Sequence, residues 1–327
     1  MTFYSKKRFQ ATQESTPGDK WLAHYHAAAP GYRRWFASEG ELKRPSLLEC
    51  RAALQTYMPE FVPLWERLVD LTQADDIGAR LLSFYCPAPS MSGCSQAVWT
   101  RYTPTLVRNY DFSPELCEGR ILKTRWHDTG VIASTDCLWG VLDGMNEHGL
   151  CVSLAFGGKE TVTEGFGIAI ILRYVLEFCA TVDEAVKVLC RIPAHMAYNI
   201  TLLDAYGQVR TVELAPFSSP NVTYKPLAVN HQGNFELSNY ALFSNSCERQ
   251  QFIFGKLYDP LSSVESFTHA FEYSPLFSSN YAQGFGTLYT AIYNPQLRAT
   301  EYRWRNGVRM YQSFAFFEEH DVWVDFS

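Results

Sequence analysis

The feature that most constrains this chain is an abrupt change of character at residues 86–94, CPAPSMSGC. Proline, serine and glycine crowd this stretch, so it continues neither a helix nor a strand. Upstream, residues 20–85 read as helical. Ser46, with Glu49 three residues later, makes a capping-box pattern. It precedes LLECRAALQTYMPEFVPLWERLVDLTQ, an amphipathic stretch bent or interrupted at Pro59 and Pro63. A further short helix is expected over 74–84, and the polar residues 1–20 are expected to be mobile. Downstream, runs of strand length occur at 96–102, 104–110, 129–135, 150–156, 199–204 and 208–214. More follow at 287–293, 300–304 and 308–316. Two helices are expected among them, at about 167–179 and 182–190, the second capped by Thr181 and Glu184. Asp204-Ala-Tyr-Gly207 reads as a hairpin turn. The chain divides into a helical leader, 1–93, and a strand-rich part, 94–327, of the α+β class, with antiparallel sheets covered by helices.

With 327 residues, 47% of them hydrophobic, the chain can bury a large core. Its formal charge is -6 and its basic residues are scattered, which argues against nucleic acid as a partner. No apolar run approaches the roughly 20 residues of a membrane span. The first twenty residues hold no apolar stretch of the secretory kind, so the expected location is the cytoplasm. Nine cysteines, an odd number without a CxxC pair, argue against a disulfide framework and against zinc. Cys151, Cys179 and Cys190 sit among apolar residues and read as core side chains. There is no HExxH and no clustered carboxylate motif, so neither a metal nor a cofactor is expected. The sequence leaves room for a homo-oligomer.

One cysteine differs from the others. Cys94 follows Gly93 at the end of the connector, where the strands begin. A thiol can attack the peptide bond before it only if the backbone bends sharply, and glycine permits that. Taken alone, the pair is a weak signal and reads first as a buried cysteine beside a loop glycine. The next strand, LVRNYDF at 106–112, ends in Arg108, Asn109 and Asp111. Alternation puts Asn109 and Asp111 on one face and Arg108 on the other. That too has a plain reading, a strand end with a solvated ion pair.

Together these segments carry a resemblance. GCS, then RNYDF, then DGMNEHGL (143–150), YNITLLDAYG (198–207), LAVNH (227–231), SNSCERQ (244–250) and GTLYTAIYNP (286–295) stand in order along the chain. The series resembles the choloylglycine hydrolase and acyl-coenzyme A:6-aminopenicillanate acyltransferase superfamily of N-terminal-nucleophile (Ntn) hydrolases, over about residues 85–315. Val229 stands where that pattern has threonine. The resemblance implies a four-layer αββα sandwich and cleavage between Gly93 and Cys94. It implies Cys94 as nucleophile and new N-terminus, Asp111 as the group that holds its free amine, and Arg108 beside the thiol. It implies Asn199 as the side chain facing the oxyanion and Arg249 near the nucleophile and its aspartate.

The chemistry of these residue types is consistent with those roles. An α-amine titrates at about 7.7–8.0 and can accept a thiol proton near neutral pH, so no histidine is required. Nearby arginines favour a thiolate. A second oxyanion donor is sought around Phe156-Gly157. Of the rival bases for a papain-like arrangement, His148 reads as a turn residue, His127 and His195 as loop residues, and His231 as part of the VNH segment. Phe112, Phe156, Phe166, Phe285 and Tyr289 are candidates for the wall of an acyl pocket; each alone also reads as core. The expected activity is hydrolysis of linear amides through a Cys94 thioester, with the two cleaved fragments as partners and an acyl amide or acyl thioester as substrate. The alternatives are transfer to an amine acceptor and an uncleaved binding protein of the same fold. Penicillins, N-acyl amino acids, acyl-homoserine lactones and small peptides all stay open.

Overall fold

The computed structural model describes residues 6–233, 239–283 and 285–327. Its strands are β1 (Lys6–Glu14), β2 (Gly93–Trp99), β3 (Thr105–Phe112), β4 (Arg120–Thr124), β5 (Val131–Asp136), β6 (Gly140–Asn146), β7 (Cys151–Phe156) and β8 (Tyr198–Leu203). They continue with β9 (Val209–Leu214), β10 (Asn221–Thr223), β11 (Leu227–Ala228), β12 (Gly286–Asn294), β13 (Ala299–Arg303), β14 (Arg309–Ser313) and β15 (His320–Asp325). The leader helices are α1 (Asp19–Phe36), α2 (Leu47–Tyr57), α3 (Val62–Thr72) and α4 (Asp76–Ser83). After them come α5 (Ile168–Phe178), α6 (Val182–Arg191), α7 (Asn239–Phe243), α8 (Ser246–Tyr258) and α9 (Val264–Ala270).

Local chemistry accounts for several of these boundaries. Ser46–Glu49 and Thr181–Glu184 form reciprocal capping boxes at the starts of α2 and α6. α2 ends before Pro59, where a missing N–H stops the helix. Asp204 Oδ1 accepts from the backbone N–H groups of Tyr206 and Gln208, each at 3.0 Å, and Gly207 takes the left-handed φ that closes the β8–β9 hairpin. In α6, Val182, Ala185 and Leu189 recur at helical spacing and form its buried face.

The strands form two sheets. One runs β10-β9-β8-β7-β6-β5-β4-β1-β15 and the other β11-β2-β3-β12-β13-β14. The sheets face each other, with β2 against β7 and β8, and β12 against β6. α5 and α6 cover the first sheet. α8 covers the second, and a separate apolar cluster that includes Ile253, Leu257, Phe267 and Phe271 packs on that side. The order is helix, sheet, sheet, helix, the expected four-layer sandwich. Among the described residues no helix is long and apolar enough to cross a membrane.

The leader departs from the expectation at its start. Residues 6–14 form β1 inside the larger sheet, parallel to β4 and antiparallel to β15. Phe9 is buried against the rings of Tyr289, Trp304 and Phe326, which contributes about 1.5–3 kcal/mol. KKRFQATQE carries too little apolar alternation to announce a strand. The free edges of β4 and β15 recruit it. The leader helices also bind the rest of the chain. Phe61 packs on Trp139, Tyr174 and Phe178, and Trp21 Nε1 donates to the Leu138 carbonyl at 3.0 Å. The helices α7, α8 and α9 go beyond the sequence expectations, as do β4, β6, β10, β11 and β15. Most of these are short or polar-faced, and long-range packing defines them.

Candidate functional site

Strand β2 begins at the expected point of attack. Gly93 is the first residue of a regular strand, and its φ is not left-handed. Its need for glycine is therefore one of space. A Cβ there would collide with the Phe285 ring and stand 3.0 Å from Asp111 Cβ. This corrects the expectation of a strained bend.

Pairing with β3 sets which side chains share a face. Cys94 lies opposite Tyr110 and Gly93 opposite Asp111. Cys94, Arg108 and Tyr110 point between the sheets, while Asn109 and Asp111 point toward the α8 side. The sequence alternation therefore holds. Cys94 is wholly buried and its Sγ accepts from Arg108 Nη2 at 3.0 Å. Arg108 is fully enclosed. It is ion-paired with Asp143, donates through Nε to the Leu154 carbonyl at 3.0 Å, and lies over the Tyr110 ring. Asp143 in turn accepts from Tyr289 Oη at 2.7 Å and from Tyr293 Oη at 2.5 Å. Every charge in this layer has a partner, as burial requires.

The backbone of Cys94 is held from the other side. Its N–H donates to Asn230 Oδ1 at 3.0 Å, and its carbonyl accepts from Arg249 Nη1 at 2.8 Å. Arg249 also donates to Asn230 Oδ1, to Ser95 Oγ and to the Ser244 carbonyl, each at 2.8 Å, and lies 3.6 Å from the Asp111 carboxylate. Thr287 Oγ1 donates to Asp111 at 2.6 Å. Asn230 Nδ2 donates to the Phe156 carbonyl at 3.0 Å and to the Ser92 carbonyl at 3.3 Å.

Burial pushes the Cys94 thiol up; Arg108 opposes this and Asp111 adds to it. Burial likewise raises Asp111, against the pull of Arg249 and the Thr287 hydroxyl. The thiol therefore holds its proton at neutral pH.

Cys94, Arg108, Asp111 and Arg249 are thus brought together. Asn199 is not brought to the thiol. Its Nδ2 donates to the carbonyls of Val229 at 2.7 Å and His231 at 3.0 Å, and its Oδ1 accepts from Gln232. It shapes the segment that presents Asn230, whose side chain meets the Cys94 N–H; Asn230 lies inside the LAVNH motif, but sequence reasoning alone does not single it out. Asp143, within DGMNEHGL, is missed in the same way. The Gly157 N–H goes to the Ala197 carbonyl at 2.8 Å, so the donor sought there is already occupied. Asn109 is structural: it donates to the Phe271 and Leu276 carbonyls. The histidines bond elsewhere: His127 to Glu177, His195 to the Thr163 carbonyl at 2.5 Å, and His231 to Ser246 at 2.8 Å.

A cavity of about 710 Å³ lies between the leader and the sheets. Trp35, Phe84, Tyr110, Phe112, Leu154 and Tyr198 form part of its wall, and Pro87, Ala88, Ser90 and Ser92 of the connector also line it. Of the five aromatic candidates only Phe112 faces it. Phe156 packs under Tyr240, Phe166 bridges Tyr85 and Ala194, Phe285 presses on Gly93, and the hydroxyl of Tyr289 holds Asp143. Aromatic content does not by itself tell a pocket wall from core.

The model of the acyl-coenzyme A:6-aminopenicillanic acid acyl-transferase family matches residues 99–308, beginning just after the cysteine. No curated protein matches the sequence. Among solved structures, the chain is similar to penicillin V acylase from Agrobacterium tumefaciens: 14% identity over 68% of this chain and 86% of that one, TM-score 0.46. It is similar to a variant of conjugated bile acid hydrolase from Clostridium perfringens: 12% identity over 71% and 97%, TM-score 0.47. It is also similar to an N-acylethanolamine-hydrolyzing acid amidase ortholog from Caenorhabditis elegans: 16% identity over 63% and 93%, TM-score 0.43.

Proposed function

The chain belongs to the acyl-coenzyme A:6-aminopenicillanic acid acyl-transferase family, and from that premise we propose a self-cleaving cysteine amidase. The observation that carries this reading is that one residue is held at both ends. The thiol of Cys94 faces Arg108, and its backbone nitrogen faces Asn230 in the layer of Arg249 and Asp111.

In the self-cleavage step, Cys94 Sγ attacks the Gly93 carbonyl carbon. The C–S bond forms, the C–N bond breaks and the nitrogen takes the thiol proton. Water then hydrolyses the thioester, leaving a carboxylate on Gly93 and a free α-amine on Cys94. That amine replaces a histidine as the base. Asp111 and Arg249 orient it, and Arg108 favours the thiolate. In turnover the thiolate attacks an amide carbonyl, the amine leaves with a proton from the Cys94 α-ammonium, and water releases the acid. Asn199 acts through Asn230 as a positioning residue.

The leader supplies the acyl half of the first bond cut, so a substrate's acyl group follows the connector's path into the cavity. Its largely apolar wall fits an apolar acyl group. Withdrawal of Ser92 frees a donor on Asn230 for the substrate carbonyl. The leader fragment stays bound, because β1 lies inside the larger sheet and α1 forms one wall of the cavity. All nine cysteines are free, which supports a reducing compartment, the cytoplasm.

Intact-mass analysis tests the reading. It requires fragments of 93 and 234 residues, the larger beginning Cys-Ser-Gln, and a single chain in Cys94→Ala. An intact chain that turns over amides would overturn it. The family's own description favours a second outcome, transfer to an amine acceptor. Adding amines to an acyl-amide or acyl-thioester reaction and measuring the ratio of new amide to free acid separates the two.

A further inference from the structure

One hydroxyl near the scissile bond has no partner among the described residues. Tyr240 lies on α7, and its Oη is shielded from solvent without any hydrogen bond. Buried donors are normally paired, so an unpaired one marks a position awaiting an acceptor.

Two lines of contact lead from this ring to the scissile bond. On one side it meets the Phe156 ring edge-on at 5.0 Å. The Phe156 carbonyl accepts from Asn230 Nδ2, and Asn230 Oδ1 accepts from the N–H of Cys94. On the other side the ring lies 6.3 Å from that of Phe243, which lies 5.5 Å from that of Phe285. Phe285 presses on Gly93. One line ends at the nitrogen of Cys94 and the other at Gly93. Burial pushes the phenol up, and the neighbouring Cys94 and Asp111 push it further, so it keeps its proton. Arg108 occupies the thiol, Asn230 has one N–H committed to Phe156, and the Gly157 N–H is taken by Ala197. Of these donors only Asn230 gains a free N–H, when Ser92 withdraws, and Tyr240 has one unused.

We propose that Tyr240 Oη donates to the oxygen of the tetrahedral intermediate, beside Asn230 Nδ2. This rests on the reading of Cys94 as the nucleophile. When Sγ bonds to the carbonyl carbon, the C=O π pair moves onto oxygen. That oxygen accepts the phenol O–H, and the proton stays on Tyr240. On collapse the pair returns, the C–N bond breaks, and the amine departs with a proton from the Cys94 α-ammonium.

The test compares wild type with Tyr240→Phe in two reactions of the mature form, normalised to the fraction whose larger fragment begins at Cys94. Amide turnover passes through an oxyanion; alkylation by iodoacetamide does not. The expected result is a kcat lower by roughly 100-fold, with KM within about twofold and alkylation at the wild-type rate. A turnover loss matched by an equal loss of alkylation would place Tyr240 in packing or thiol activation and overturn the proposal. So would turnover above half of wild type. Failure of cleavage and alkylation at Cys94 in wild type itself would sink the Cys94 reading instead.

Discussion

The two faces of the β2–β3 pair treat the same cysteine in different ways. Between the sheets, Arg108, Asp143, Tyr289 and Tyr293 form a closed network of side chains around Sγ. On the other face, Arg249 and Asn230 grip the main chain of Cys94, and Asp111 stands beside them. The inner face touches the sulfur, and the outer face holds the backbone nitrogen and carbonyl of the same residue. Under the proposed reading, in which one residue supplies nucleophile and base, the comparison teaches that the two halves of the mechanism can be broken separately.

The largest effect comes from removing what the faces share. Cys94→Ala leaves one uncut chain with no turnover, by intact mass and amide assay. Next is the outer face: Asn230→Ala is expected to lower kcat by roughly 10²–10³-fold, with a stability cost of only about 1–3 kcal/mol from the buried donors it leaves unpaired. A larger loss of stability would show that Asn230 is chiefly structural. On the inner face the balance reverses. Arg108→Met leaves Asp143 buried without its cation and is expected to cost about 3–5 kcal/mol of stability, measured by chemical denaturation. A variant of native stability would mean that the ion pair is dispensable.

A smaller effect separates the faces by pH. Burial holds the uncleaved thiol above its ordinary range, so the thiolate fraction, and with it self-cleavage, should rise roughly tenfold per pH unit between about 6 and 8. The fold binds this proton more tightly than the unfolded chain does. That contribution to stability is complete below the ordinary thiol range and falls as pH rises past it. A flat cleavage profile would rule out thiolate formation as the limiting step. The smallest effect is at the cavity: Phe112→Ala should raise KM for bulky acyl amides by a few-fold with kcat nearly unchanged.

Much of this is open to a reader of the sequence. The capping boxes, the Asp204–Gly207 hairpin and the opposite orientation of Arg108 and Asp111 each depend on residues a few positions apart. The ordered motifs are enough for the family. The partner of the Cys94 nitrogen is not open to view. Asn230 stands 136 residues away, in a segment whose course Asn199 and Ser246 determine. Nor can Phe112 be told from Phe156, Phe166, Phe285 and Tyr289, since all are large aromatics in apolar runs and only packing decides which of them meet a void.

By itself, then, the sequence determined the connector at residues 86–94, the helices just before it, most of the longer strands after it and the alternation that splits the neighbours of Cys94 between two faces. These follow from backbone geometry and short-range hydrogen bonding, which act within a few residues. Only the tertiary structure decided that β1 completes the large sheet, that Asp143 answers Arg108, that Asn230 rather than Asn199 meets Cys94, and that leader and sheets together line a cavity. Those outcomes depend on burial, which couples residues by distance in space and leaves no periodic mark along the chain.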